Sequence, residues 1–174
     1  MSHSSFISLL ALLAILSGCA ATTSHELSPE ALERVREEVA ASLDAFHQAA
    51  SDADAKAYLG AFTEAGIFMG TDATERWTLE EFADYCRPYF EKGTGWTFVP
   101  IERHISARGE LAWADEILTN EKYGTCRGTS VLRDTPDGWK VEHYSLTFLI
   151  PNDAVDGALA AVRAWEEQSR STGN

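Results

Sequence analysis

Basic residues are scarce in this chain. Its 174 residues include 14 Lys and Arg against 27 Asp and Glu, which gives a formal net charge of −13 at pH 7. Because so acidic a surface repels phosphate backbones, the composition argues against nucleic-acid binding. All of this charge belongs to the chain after residue 18, since residues 1–18 contain no Lys, Arg, Asp or Glu.

Cysteine is also scarce, and metal-ligand motifs are missing. After Cys19 the chain holds only Cys86 and Cys126, with no CxxC pair and no cysteine-rich framework. These two residues could form a disulfide in an oxidising compartment, or they could be separate buried thiols. No two His or Cys residues have metal-ligand spacing, so we expect neither a metal site nor a cofactor.

A hydrophobic run long enough to cross a membrane is missing as well. The apolar stretch from Phe6 to Leu16 is shorter than the roughly 20 residues that a transmembrane helix needs. It has the length of the apolar core of a secretory signal peptide, although no Lys or Arg precedes it. Residues 1–18 are therefore predicted to be a signal peptide.

The sequence Leu-Ser-Gly-Cys at residues 16–19 resembles a bacterial lipobox, in which the cysteine is acylated and becomes the mature N-terminus. The resemblance implies that Cys19 is lipidated and that residues 19–28 form a tether on the periplasmic side of the cell envelope. Since Ala20 and not Asp follows the cysteine, it favours the outer membrane, with membrane contact through the lipid alone. The alternative is an ordinary cleaved signal peptide with a chance cysteine.

The chain after Cys19 has a normal length for one domain. Apolar residues at three- and four-residue intervals predict a helix from Pro29 to about Ala50. A second, short helix begins at Ser51, and a short strand follows at residues 66–70. The pattern from Thr78 to Glu81 is a capping box that predicts the start of a third helix.

Four long strands are predicted next, each ended by turn residues. Their approximate bounds are 96–107, 111–121, 123–133 and 139–150. A final helix follows, and its apolar stripe consists of Val155, Leu159, Val162 and Trp165. Helices followed by an antiparallel meander predict an α+β fold, with the main domain at residues 29–150 and a C-terminal helix and tail at residues 151–174.

Several short segments together indicate a family. They are Phe68-Met69-Gly70-Thr71-Asp72 with Trp77, Gly95-Trp96, Ala112-Trp113, Arg127-Gly128-Thr129, Gly138-Trp139-Lys140-Val141 and His143-Tyr144-Ser145-Leu146. Their order and spacing over about residues 30–150 resemble the SnoaL-like branch of the nuclear transport factor 2-like superfamily, which includes ketosteroid isomerase and polyketide cyclases. The resemblance implies a cone-shaped fold, in which a curved antiparallel sheet wraps around three helices and leaves a pocket at its open end.

The resemblance also implies a homodimer, because members often pair through the outer face of the sheet. Trp113, Ile117 and Phe98 are the apolar residues expected on that face. Members of the superfamily include enzymes, transport factors and domains that only bind or dimerise, so the fold leaves the reaction open.

Strand parity predicts which side chains line the cone, because directly opposed residues of an antiparallel pair point to the same side. The prediction assumes a two-residue turn near Gly109, a tight turn near Glu121-Lys122 and a five-residue loop at residues 134–138. The polar side chains that would then converge are Arg103, Glu116, Arg127 and His143.

Such a group could transfer a proton or hold an anionic ligand. Glu116 or His143 would be the base, and Arg103 or Arg127 would hold a carboxylate or enolate oxygen. The alternative is a cross-strand network in which the arginines only satisfy a buried charge. Asp115 is predicted on the opposite face and would become the candidate base if a bulge exchanged the two faces.

Three functions remain open from the sequence. The leading hypothesis is an envelope lipoprotein that binds a small apolar or anionic molecule in the cone without established catalysis. The second is an isomerase, cyclase or hydrolase that uses a carboxylate or His base. The third is a protein-interaction module. A pocket carboxylate that is unpaired would favour the enzyme, and one held by arginine would favour the binding protein.

Overall fold

The computed structural model describes residues 26–172, so the predicted signal peptide, Cys19 and most of the tether lie outside the described residues. The elements in chain order are α1 (Pro29–Ser51), α2 (Ala55–Gly60), β1 (Phe62–Met69), β2 (Arg76–Thr78), α3 (Leu79–Phe90), β3 (Val99–Arg108), β4 (Leu111–Asn120), β5 (Gly124–Thr135), β6 (Gly138–Phe148) and α4 (Val155–Thr172). No helix within this range is long and apolar enough to span a bilayer.

Two helices begin at the capping residues that the sequence indicates. The Ser28 hydroxyl accepts a hydrogen bond from the Ala31 amide, and Pro29 occupies the first turn of α1, where its missing N–H costs nothing. At the start of α3, Thr78 and Glu81 form a reciprocal capping box. These predicted starts are confirmed. They are apparent from the sequence because side-chain capping depends only on residues three positions apart.

One six-stranded sheet has the order β2-β1-β6-β5-β4-β3. The meander from β3 to β6 is antiparallel, as predicted. The expectation of a wholly antiparallel sheet is wrong for β1, which pairs in parallel with β6 and antiparallel with the short strand β2. The sequence analysis missed β2, since three residues are too few for an alternating pattern.

Helices α1, α2 and α3 cover the concave face of the sheet and close the core. Phe46 of α1 lies at its centre, with ring centroids of Tyr58, Phe62 and Tyr144 between 4.7 and 5.6 Å away. The predicted α+β cone with three helices before the meander is therefore confirmed. Cys86 and Cys126 are both buried and both free thiols, so of the two alternatives the structure shows separate thiols.

The C-terminal helix α4 forms where the sequence predicts it. None of its described residues is buried, and Leu159, Val162 and Trp165 of its apolar stripe are exposed. The helix therefore takes no part in the core of the cone.

Candidate functional site

The register between β4 and β5 separates two of the predicted site residues. Asn120 pairs with Gly124, so the connecting loop has three residues rather than two. Glu116 therefore lies opposite Gly128, and Arg127 lies opposite Ile117 on the outer face. A shift of one residue moves every side chain of a strand to the other face. The prediction that Arg127 lines the cone is wrong for this reason.

A bulge in β6 moves the fourth predicted residue outward. Leu132 pairs with Val141, whereas Val131 pairs with His143, which leaves Glu142 as the extra residue between them. Trp139 and Val141, before the bulge, are buried against the helices, and after it the next buried side chain of β6 is Tyr144 and not His143. The prediction that His143 lies in the cone is therefore wrong, and His143 shares the outer face with Arg127.

Arg103 and Glu116 do converge on the concave face, as predicted. Arg103 Nε donates a hydrogen bond to Glu116 Oε1 at 2.8 Å, and the Glu116 residue is only 1% exposed. The other carboxylate oxygen, Oε2, lies 3.0 Å from Nε2 of His47 on α1. His47 was missed, although it follows the buried Leu43 by four residues and so lies on the same helical face.

Arg103 is held on α1 by two further contacts. Its guanidinium donates to Asp44 Oδ1 at 2.7 Å and to the Ala40 carbonyl at 3.1 Å. The side chains of Arg103, Glu116 and His47, which we call the buried charge network, thus connect α1 with strands β3 and β4, and the exposed Asp44 pairs with Arg103 at the surface. Each of the three guanidinium nitrogens of Arg103 therefore donates a hydrogen bond within the protein.

The network keeps Glu116 ionised. Burial alone would raise the pKa of Glu116, but the hydrogen bonds and charges of His47 and Arg103 outweigh it, and the pKa lies below its ordinary value. A carboxylate with a lowered pKa that accepts two hydrogen bonds is a weak proton acceptor at neutral pH. Glu116 can therefore orient His47, but it is a poor candidate for a base.

Tyr144 lies beside this network. Burial, reinforced by the charge of Glu116, raises the pKa of Tyr144 well above its ordinary value, so the phenol keeps its proton. A side chain at Gly128 would place its Cβ 2.3 Å from the Tyr144 hydroxyl oxygen. Glycine at position 128 therefore makes room for the phenol.

His47 and Tyr144 line a small inner cavity of the cone. Its volume is about 30 Å³, and its other walls are mainly aromatic. This volume accommodates a water molecule between polar side chains, but it is too small for an organic ligand. The aromatic core fills most of the space that the predicted cone pocket would need.

Larger spaces lie towards the open end of the cone. A cleft of about 660 Å³ is lined by Tyr85, Tyr89, Trp96 and Tyr123, with Asn120 and Lys122 on its polar side. A narrower space of about 120 Å³, which we call the throat, adjoins it and shares three of these rings, Tyr85, Trp96 and Tyr123. Two more open depressions of about 640 and 420 Å³ also lie on the described surface, and Arg103 lines the first of them. The cleft and the throat differ from these in having at least four aromatic side chains each in their walls, as is usual for a site that binds a small molecule.

The remaining candidates lie outside the cone. Asp115 is exposed on the outer face opposite His104, so no bulge exchanges the faces of β4. His104 Nε2 lies 2.6 Å from Glu102 rather than against Asp115. Within residues 26–172, no cluster of three or more His, Cys, Asp or Glu side chains could hold a metal ion.

The outer face carries two of the three residues that the sequence analysis placed there. Trp113 is 48% exposed, and Ile117 lies on the same face of β4. Phe98 was placed there wrongly, because it lines the throat and stacks against Tyr123 with nearly parallel rings. Pairing of two copies through this face stays a prediction.

Solved structures share this fold at low sequence identity. A protein of unknown function from Pseudomonas putida, described as NTF2-like, is 16% identical, with a TM-score of 0.59 over 74% of this chain and 94% of that chain. A putative dehydratase of the NTF2-like family from Streptomyces avermitilis is 16% identical, with a TM-score of 0.55 over 69% of this chain and 99% of its own. A putative aromatic ring hydroxylase from Novosphingobium aromaticivorans is 18% identical, with a TM-score of 0.58 over 68% and 92% of the two chains.

These similarities establish the fold and not a reaction, since identities of 16–18% leave the site residues free to differ. No curated protein matches the chain. The model of the SnoaL-like domain matches residues 39–151, from the middle of α1 to just beyond β6. The chain therefore belongs to the SnoaL-like domain family.

Proposed function

We propose that this protein binds a small molecule with an apolar part in the cleft and throat, as an envelope-anchored binding protein without catalysis of its own. The observation that carries the proposal is the adjoining pair of spaces that share the rings of Tyr85, Trp96 and Tyr123. Aromatic walls with a few polar groups at the rim are the usual lining of a ligand site.

The state of Glu116 favours a binding protein over an enzyme. An enzyme of the second hypothesis would need an unpaired base in contact with its substrate. Glu116 is paired with Arg103 and His47, and the cavity beside His47 is about 30 Å³ in volume. The expected anionic ligand also loses support, because Arg127 is on the outer face and Arg103 is engaged in the buried charge network.

Replacing Tyr123 with Ser tests the site. Tyr123 is a wall of both the cleft and the throat, and loss of its ring removes apolar contact area. We expect Tyr123→Ser to weaken binding of phenylnaphthylamine, a neutral fluorescent aromatic probe, by about fivefold or more. The measurement is a fluorescence titration of the full chain.

Trp113→Ser is the matched control, because Trp113 is similarly exposed but lies on the outer face of the sheet. Its affinity for the probe should equal that of the unaltered protein. Equal losses in both variants, or a loss only in Trp113→Ser, would show that the probe does not bind in the cleft.

We also propose that Cys19 carries the lipid that anchors the protein to the envelope. The support is the sequence Leu-Ser-Gly-Cys directly after the apolar run. The variant Cys19→Ser should lose palmitate labelling and leave the membrane fraction, whereas Cys126→Ser should keep both. Unchanged labelling of Cys19→Ser would disprove the anchor and leave the proposed ligand site untouched.

A further inference from the structure

The throat contains a single formal charge, and it is negative. Glu75 is the only ionisable acid or base among the described residues that line it, apart from the phenols of Tyr85 and Tyr123. No Lys, Arg or His in the described part of the chain contributes to this lining. The charge of the throat therefore disfavours an anion and attracts a cation.

The position of the Glu75 carboxylate depends on the backbone around it. Its Oε2 atom accepts a hydrogen bond from the Asp72 amide at 3.1 Å. A Cβ at Gly70 would lie 2.1 Å from this oxygen, so only glycine leaves the place open for the carboxylate. Glu75 is half-buried, and this hydrogen bond places its carboxylate at the wall of the throat.

Aromatic rings surround the same space. Trp77 and Tyr85 stack with their centroids 4.6 Å apart, and Phe98 lies nearly parallel to Tyr123 on another part of the wall. Phe68, Phe82 and Trp96 are the other aromatic side chains of the lining. The electron-rich faces of such rings attract an ammonium group, most strongly when the cation is desolvated and the rings include Trp or Tyr.

We infer that the throat binds the head of a small organic cation, a quaternary or methylated ammonium, with Glu75 as the counter-charge. This inference rests on the proposed ligand site and specifies the ligand class. Methylated ammonium groups suit a wall of this kind because their methyl groups contact the rings while the charge remains unscreened by water.

The size of the throat agrees with such a head group. The volume of the throat is about 120 Å³, which is the volume that about four molecules occupy in liquid water. That space suits a nitrogen with three methyl groups better than a fused ring system. The rest of the ligand would extend into the cleft, which is several times larger.

One basic side chain, that of Lys122, lines the cleft into which the rest of the ligand would extend. The Lys122 ammonium is 4.7 Å from the centroid of the Tyr123 ring and donates a hydrogen bond to the Tyr123 hydroxyl. Glu121 lines the same cleft, so the two formal charges offset each other there. The net charge of −13 attracts cations at longer range.

The test compares choline with dimethylbutanol, its uncharged analogue in which carbon replaces nitrogen. We expect the full chain to bind choline about tenfold or more tightly than the analogue, measured by quenching of tryptophan fluorescence and by calorimetry. Glu75→Gln should remove most of this preference, because the amide can still accept the hydrogen bond from Asp72 but carries no charge. Glu64→Gln, at an exposed position of β1, is the matched control and should keep it.

A third ligand distinguishes the sources of the cation. Phosphocholine carries the head group as a lipid presents it, so similar affinity for phosphocholine and choline would point to a lipid head group. Binding of choline with rejection of phosphocholine would point to a free cation.

Equal or tighter binding of dimethylbutanol, or no binding of choline, would overturn the inference. The proposed function fails separately, through loss of the difference between Tyr123→Ser and Trp113→Ser in the titration with phenylnaphthylamine. A chain that binds the neutral probe but does not prefer choline would thus keep its ligand site and lose only the cationic ligand class.

Discussion

Replacing Arg103 with Leu is expected to lower the free energy of unfolding by about 3–5 kcal/mol. Glu116 would remain buried and ionised, with His47 as its only partner in place of two. Desolvation of an incompletely paired charge is costly, and leucine cannot replace the hydrogen bonds to Asp44 and Ala40. Urea unfolding of the full chain, followed by circular dichroism, measures the loss.

Arg133→Leu is the matched control, because Arg133 also pairs with a glutamate, Glu142, but its side chain is 42% exposed. Its loss should stay below about 1 kcal/mol, since water solvates both charges. The double variant Arg103→Leu, Glu116→Leu should recover much of the stability that Arg103→Leu loses. Equal losses in Arg103→Leu and Arg133→Leu would contradict the burial of the network.

The buried charge network also makes the stability of the folded protein depend on pH. The pKa of Glu116 is lowered in the folded protein, so its ionised form contributes stability at pH values above its unfolded pKa of about 4.3. This contribution is lost as the pH falls through the folded pKa. The stability difference between the unaltered protein and Arg103→Leu should therefore narrow below about pH 4.

Gly95→Ala is expected to lose about 3 kcal/mol of stability. A Cβ at this position would lie 2.1 Å from the Ala50 carbonyl oxygen and 2.8 Å from that of Ser51. Both oxygens belong to the backbone at the end of α1, so no flexible side chain can move to relieve the overlap. The displaced chain would also lengthen the hydrogen bond from the Trp96 amide to Ala50. Urea unfolding measures the loss, and the emission spectrum of the tryptophans reports the shift of Trp96.

Gly60→Ala is the control for Gly95→Ala. A Cβ at Gly60 meets no atom within 4 Å, and the residue ends the short helix α2. Alanine there should leave the stability unchanged or raise it by up to about 1 kcal/mol. Similar effects at both glycines would show that the contact between Gly95 and α1 is absent in solution.

Short-range patterns in the sequence were sufficient for α1, α3, α4 and the existence of the meander strands. The second helix was predicted to begin at Ser51, which is wrong, because α1 continues to Ser51 and α2 begins at Ala55 with Asp54 as its cap. The cap at Ser28 and the capping box at Thr78 act over three residues, and the apolar spacing of α1 repeats along one helix. The parallel pairing of β1 with β6 could not be predicted in this way, because it joins residues about 75 positions apart.

The sequence placed two of the four predicted site residues on the correct face of the sheet. Arg103 and Glu116 lie on strands joined by a two-residue turn at Gly109-Glu110, whose length is apparent from the sequence and sets their parity correctly. The three-residue loop before Gly124 and the bulge at Glu142 each change parity by one residue. Gly124, with a φ of 69°, is the local signal for the loop that the sequence analysis did not use, whereas the bulge has no such signal.

The amino-acid sequence alone was enough for the family, the α+β order and the acidic surface, since each depends on composition or on the order of patterns along the chain and none requires knowing which distant residues are in contact. Only the tertiary structure decided which side chains meet. His47 joins Glu116 across 69 positions of the chain, and Glu75 reaches the throat because Gly70 has no side chain. Such contacts depend on register and close packing between distant elements, and a shift of one residue reverses them without altering the pattern along any single strand.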